Sequence, residues 1–220
     1  MSRNNGARRG LWIAIYGPDG AGKSAVVRQL AGELAPLFSG VCQYHLRVRW
    51  LGAGKPTSPV TDPHAQRPRG AFLSCLKLVY MLAHAWVTHL FVVLPLTVAD
   101  QLVLFDRYFL DYTIDPRRYR LAQRSVGFAR LLARWAPRPD LQFVLDVPAE
   151  ELQRRKAEVS LAESRRQCRA YVDELGGLSN TVLVNAAQPV SVVANEAASL
   201  IRARAGAQGD SVAEVELART

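Results

Sequence analysis

The sequence predicts an α/β domain with a mostly five-stranded parallel sheet and helices on both faces. Three observations predict it. Short apolar runs bounded by turn residues alternate with stretches of helical spacing along nearly the whole chain. The first of these runs leads into a glycine-rich turn and then a helix. The composition, 49% hydrophobic and 21% charged over 220 residues, suits one domain and holds no repeat or low-complexity block. A single domain over 1–205 follows, with 206–220 expected as a flexible C-terminal tail.

In chain order, "LWIAIY" (11–16) is a buried strand ending at Gly17, and Val26, Val27, Leu30 and Leu34 mark the helix after it. "VCQYHLRVRW" (41–50) reads as the second strand and 51–70, rich in Pro and Gly, as a long loop. Residues 71–94 form a long apolar helix. Overlapping it, 78–99 carries no formal charge and is long enough to span a bilayer. His84, Thr88, His89 and Pro95, and its place inside an α/β alternation, favour a buried core helix and no membrane contact. Strands at 102–106, 141–147 and 181–185 complete the sheet, with helices at about 118–135, 148–175 and 190–204 between and after them.

Net charge is +9, and of 28 basic residues only Lys23, Lys55, Lys77 and Lys156 are lysines. Arginine suits bidentate phosphate binding, but net charge alone speaks to nonspecific association. No aromatic-interleaved basic strand or helix-turn-helix signal accompanies the charge, so a nucleic-acid partner is not expected. Cys42, Cys75 and Cys168 are odd in number and widely spaced, without metal-ligand spacing. They point to a reducing, cytoplasmic setting.

The chemistry begins at "YGPDGAGKS" (16–24). The nucleotide-binding loop runs through Gly17, Pro18, Asp19, Gly20, Ala21, Gly22, Lys23, Ser24 and Ala25. Its glycines let the backbone curl so that several N–H groups point inward at phosphate oxygens, and the next helix adds its positive end. Lys23 is placed to reach the β- and γ-phosphates of ATP, and Ser24 to sit on Mg²⁺. The strand "LVLFD" delivers Asp106 and Arg107 at the sheet edge where α/β folds bind ligands, Asp106 as a second metal group and Arg107 as a grip on phosphate. An arginine-dense stretch at about 151–170 reads as a lid whose Arg154, Arg155 and Lys156 face developing charge. Arg165, Arg166 and Arg169 read as a solvated face. Asp19 would repel phosphate, so an acceptor hydroxyl is its expected partner. Lys77 interrupts an otherwise apolar helix and is expected to snorkel.

The GxDGAGKS loop, the DR-Y strand end and the "LDVP" segment followed by arginines occur together in thymidylate kinases, and the sequence resembles that family over nearly its whole length. The resemblance implies a three-layer P-loop NTPase fold and ATP- and Mg²⁺-dependent phosphorylation of dTMP or a similar monophosphate. It assigns Asp19 to the acceptor's sugar hydroxyl, Arg107 and Tyr108 to the acceptor, Arg154 or Arg155 to catalysis from the lid, and Gln188 and Pro189 to the adenine. It also implies a homodimer. Where the family carries an Arg-containing segment after the second strand, this chain has "HLRVRWLGAGKPTSP", so Arg47 or Arg49 takes that role. "LDYTIDPRRYR" (110–120) departs from ordinary members. Asp111, Asp115, Arg117, Arg118 and Arg120 cluster there, and the stretch resembles a divergent bacterial branch, some of it linked with cell-surface polysaccharide genes. A phosphorylated sugar as acceptor and a non-catalytic nucleotide-binding scaffold are the alternatives.

Overall fold

The computed structural model describes residues 9–46, 68–156 and 159–217, with the backbone alone for 208–217. Five strands, β1 (Trp12–Tyr16), β2 (Gly40–His45), β3 (Gln101–Asp106), β4 (Leu141–Asp146) and β5 (Thr181–Asn185), form one sheet in the order β2-β3-β1-β4-β5. Every pairing is parallel. The helices are α1 (Lys23–Leu34), α2 (Ala71–Thr88), α3 (Leu94–Val98), α4 (Asp111–Ile114), α5 (Val126–Ala133), α6 (Ala149–Arg155), α7 (Leu161–Leu175) and α8 (Val190–Leu217). The expected class is observed: an α/β fold of the P-loop NTPase type.

The central strands are apolar on both faces because both are covered, and alternate residues divide between two cores. Ile13, Ile15, Leu102, Leu104, Phe143 and Leu145 pack with α1 and α8. Trp12, Ala14, Tyr16, Val103, Phe105 and Val144 pack on the other side with α2, α5 and α7. Each fully buried Leu or Ile contributes about 1.5–3 kcal/mol. Register then sets the site: Ile15 lies opposite Asp106, and the Arg107 N–H donates to the Ile15 carbonyl at 2.9 Å. The ends of β1 and β3 therefore meet at one edge.

Three expectations on the elements are corrected. The long apolar helix runs as α2, a π-helical turn (His89–Val93) and α3, and only 28% of its most apolar window is buried. Ser74, Leu78, Met81, Ala85 and Thr88 face the protein, while Phe72 is 80% and Phe91 67% exposed. The helix is apolar all round, so composition could not say that one side lacks a covering element. It is long and apolar enough to cross a membrane by length and composition alone. The helix expected from 118 begins at Val126, because Pro116 and the positive φ of Arg120 hold 116–120 in turns. Finally, α8 continues to Leu217, past the expected end at 204 and through most of the expected tail.

Candidate active site

The turn after β1 and the start of α1 form a glycine-rich loop whose backbone conformation is of the kind that can cradle phosphate. Gly20 and Gly22 sit at φ 86° and 89°, where a Cβ is strained, and Gly22 caps α1 in the left-handed conformation. Lys23 folds back over the loop and donates from Nζ to the Pro18 carbonyl at 2.6 Å. Burial, then the charge of Arg107, pushes its pKa down to about 7 against the pull of Asp19, Asp106 and Asp111. Asp19 Oδ1 lies 3.9 Å from this buried amine.

Ser24 Oγ donates to Asp106 Oδ2 at 2.6 Å across the β1–β3 edge. Asp106 Oδ1 is buried with no hydrogen-bond partner among the described residues. Burial works to raise the Asp106 carboxyl, but His45, Lys23 and Ser24 outweigh it and keep it ionised. A hydroxyl, a carboxylate and an unused carboxylate oxygen are hard donors that fit Mg²⁺, which takes few protein ligands and completes its shell with phosphate and water. No cluster of three His, Cys, Asp or Glu suited to a metal occurs among the described residues.

Asp19 stands at the centre of a second group. Arg107 Nη2 donates to its Oδ1 at 2.5 Å, and Arg118 Nη1 donates to its Oδ2. Burial would raise the Asp19 carboxyl, yet Arg107, Lys23 and Arg118 hold it well below the usual carboxylate range. Arg107, 2% exposed and at the strained φ of 70°, is fixed from behind: its Nη1 donates to both Asp111 oxygens at 2.9 Å and to the Tyr171 hydroxyl at 2.8 Å. Tyr119 and Tyr171 donate to Asp111 as well. Burial opposes the Arg107 charge, but Asp111 more than restores it. Two arginines and a lysine thus converge beside the loop on one carboxylate, while Asp111 balances Arg107 from behind.

The 116–120 turn that brings Arg118 in is tied down by Lys77, which donates to the Tyr119 carbonyl at 2.6 Å. This is the use of the lysine inside the apolar helix.

The sequence-predicted residues are distributed as follows. The loop from Gly17 to Ala25 meets Asp106 and Arg107 at the sheet edge. Within the loop, the Ala21 side chain is 2% exposed and joins the apolar core of Ile15, Val26 and Leu145. Its N–H donates to the Pro18 carbonyl at 3.3 Å, closing the turn between the two left-handed glycines.

Gln188 and Pro189 lie in the turn before α8, whose Val190 approaches within 3.9 Å of the place a Cβ on Gly22 would occupy, so that turn adjoins the loop. Arg47 and Arg49 lie outside the described residues. Arg154 and Arg155 are not brought to the loop: Arg154 is 77% exposed and paired with Glu151, while Arg155 donates to the Ala186 and Ala187 carbonyls. Pairing to Glu151 one helical turn earlier holds both against α6. It is Lys156 whose Cβ lies 3.5 Å from the place of a Gly20 Cβ. Tyr108, next to the strained Arg107, packs edge-on against Trp12 and Phe105, and its hydroxyl has no hydrogen-bond partner among the described residues.

Three members of the site carry no assignment in the sequence. Arg118 stands out there only as part of a charged cluster. Tyr171, 64 residues beyond Arg107, carries no signal at all. His45, at the end of β2, lies 3.6 Å from Asp106, although the sequence places no histidine near the reacting groups.

No family model matches the chain. The chain is similar to a thymidylate kinase. The likeness is to the enzyme of Lactobacillus acidophilus, 23% identical over 219 residues, covering 89% of this chain and 95% of the relative. A likeness over nearly both lengths, joined to the parallel sheet, indicates a kinase in the coarse sense of a phosphotransferase acting on nucleotides.

Proposed function

We propose that this protein transfers the γ-phosphoryl group of ATP to a nucleoside monophosphate, dTMP or closely similar, in the cytoplasm. The observation that carries the reading is the convergence at one sheet edge of the phosphate loop, the Ser24–Asp106 pair and the Asp19–Arg107–Arg118 cluster. An oxygen of the acceptor phosphate bonds to the γ-phosphorus as the bond to the β,γ-bridging oxygen breaks, leaving ADP. The acceptor oxygen is already anionic, so no strong base is needed. Mg²⁺, held by Ser24 and Asp106, would neutralise charge on the phosphates. Lys23 binds the donor phosphates, Arg107 and Arg118 hold the acceptor phosphate, and Asp19 orients the acceptor's hydroxyl. Gln188 and Pro189 border the adenine, and Arg47 adds to the acceptor contacts. Arg154 and Arg155 reach the transferring group when the 151–170 segment closes, excluding water.

ADP release from ATP and Mg²⁺, measured with dTMP, other nucleoside monophosphates and a panel of phosphorylated sugars, tests the reading. Turnover with dTMP supports it, and silence with every acceptor overturns it. A second reading, a phosphorylated sugar as acceptor, draws on Arg118: a residue from the segment that departs from the family stands directly on Asp19, where acceptor recognition occurs. Response to a sugar phosphate alone decides for it.

Arg118→Ala is expected to raise the acceptor KM by about tenfold or more while the ATP KM stays within about twofold, since one charge-assisted contact to phosphate is lost. Replacing Arg154 and Arg155 together lowers kcat instead, with ATP affinity kept. Steady-state kinetics with each substrate varied separates the two, and equal effects on both KM values would remove Arg118 from the acceptor side.

The exposed stripe of Phe72, Leu76, Tyr80, Val87, Phe91 and Val98 along α2 and α3 is larger than a monomer usually leaves bare. A second copy of the chain is proposed to cover it. Light scattering after size exclusion is expected to give a dimer for the parent chain and a monomer for Phe91→Glu with Leu76→Glu. A parent monomer that instead binds phospholipid vesicles would assign this face to a membrane.

A further inference from the structure

Behind the candidate active site, a second cavity of about 260 Å³ opens between α5, the end of α7 and the sheet. Its inner wall is the back of the phosphate site: Tyr16 precedes Gly17 in the chain, and Tyr108 follows Arg107. Polar groups on that wall are left over. The Tyr16 and Tyr108 hydroxyls and Gln142 Oε1 are buried with no hydrogen-bond partner among the described residues. The Leu110 amide is close enough to bear on the ionisation of Tyr16 but closes no hydrogen bond of normal geometry with it. Gln142 Nε2 donates to Asn180 Oδ1 at 3.0 Å, which fixes the amide so that Oε1 remains the acceptor. Burial raises both tyrosine hydroxyls, so they stay protonated and able to donate.

Unmade hydrogen bonds in a buried place are costly, by about 1–3 kcal/mol per group. Three on one cavity wall mark a place where a ligand or water is expected. The mouth carries Arg130, Arg134 and Arg138. Arg130 is neutralised by Glu174, which also lines the cavity, at 2.5 Å. Arg134 and Arg138 make no ion pair among the described residues, which leaves the rim cationic. Between rim and wall the lining is apolar, from Phe109, Leu110, Ala133 and Ala136.

We propose that this cavity is a binding site for a small organic acid with an apolar or aromatic body, whose anion meets Arg134 and Arg138 and whose far end carries a hydroxyl or amide for Gln142, Tyr16 and Tyr108. The site stands on the cavity and its leftover polar groups, and holds whether or not the chain is a kinase. Its size suits one ring with short substituents, not a nucleotide.

The probe is 4-hydroxyphenylacetate, titrated into the ¹⁵N-labelled full chain, with phenylacetate, lacking the hydroxyl, and 2-(4-hydroxyphenyl)ethanol, lacking the charge, as comparisons. Saturable amide shifts are expected at 108–110 and 133–142, and each comparison compound binds about tenfold more weakly. Arg134→Glu with Arg138→Glu, both on the surface, weakens the probe by a similar factor, and Ala133→Phe, which fills the cavity, abolishes it. Circular dichroism checks that each variant is folded. No saturable shift at these residues, or equal shifts in the folded Ala133→Phe chain, overturns the site.

Discussion

Lys23→Ala abolishes ATP-dependent phosphoryl transfer, with kcat/KM for ATP falling by about 10³ or more, while the fold is kept. Among the described residues Nζ donates to the Pro18 carbonyl and lies 3.9 Å from Asp19, both in the loop itself, so its loss breaks no polar contact to another element. Retained turnover would sink the mechanism. The same lysine gives a pH signature. Its pKa lies near 7 in the ligand-free chain and at 10.5 in its ordinary state, so between those values the unfolded chain holds a proton that the folded chain lacks. Its contribution to stability therefore rises with pH across this window, and its cost is fully present below pH 7. A bound polyphosphate favours the charged form, so nucleotide binding at pH 8 takes up close to one proton. Calorimetry in buffers of different ionisation enthalpy measures it, and Lys23→Met should remove the uptake; no uptake in the parent chain would mean that Lys23 is already charged.

Asp111→Ala costs about 3–5 kcal/mol of stability, because it strands a guanidinium that is itself almost wholly buried. Arg107 keeps only Asp19 and Tyr171 as partners, and the Tyr119 and Tyr171 hydroxyls lose their shared acceptor. For a chain of this size the loss lowers Tm by roughly 10 °C. An exposed pair such as Arg165–Glu150 loses far less when broken, because water screens it and rehydrates both partners. Urea denaturation of the two variants side by side tests the contrast. A change under about 1 kcal/mol for Asp111→Ala would show that Arg107 is hydrated and that the network is not structural.

Much of the loop side of the candidate site is legible in the chain. Spacing alone puts Gly17, Lys23 and Ser24 on one loop and helix start, because such a loop is built from consecutive residues. Which loop residues face outward was less legible, since the inward turn of Ala21 follows from backbone angles at its two neighbours. Asp106 and Arg107 were legible because the end of a parallel strand in such a sheet faces the ligand edge. The cluster around Asp19 is not. It is assembled from β3, the 116–120 turn and α7, and nothing in the local pattern says that Tyr171 will lie against Arg107 or that Arg118 rather than Arg117 will turn inward.

Arg154 and Arg155 both pair with Glu151 one helical turn earlier, and Arg155 also donates to the Ala186 carbonyl at 3.0 Å. The long helix shows the opposite case, where local chemistry suggested more burial than the folded chain has. The apolar run over 71–94 suggested burial because hydrophobicity is a property of residues, whereas burial depends on whether another element is present to cover them.

The alternation of strand and helix, the glycine-rich loop and the strand edge that carries Asp106 and Arg107 follow from the chain alone, since these depend on propensity, period and spacing between near neighbours. It took the folded chain to settle which arginines meet Asp19, that Ala21 and Tyr108 turn into the core, that one face of α2 stays bare and that a second cavity lies behind the first site. Those outcomes depend on sheet register and on the closure of loops joining distant residues, where small free-energy differences summed over the whole molecule select one arrangement.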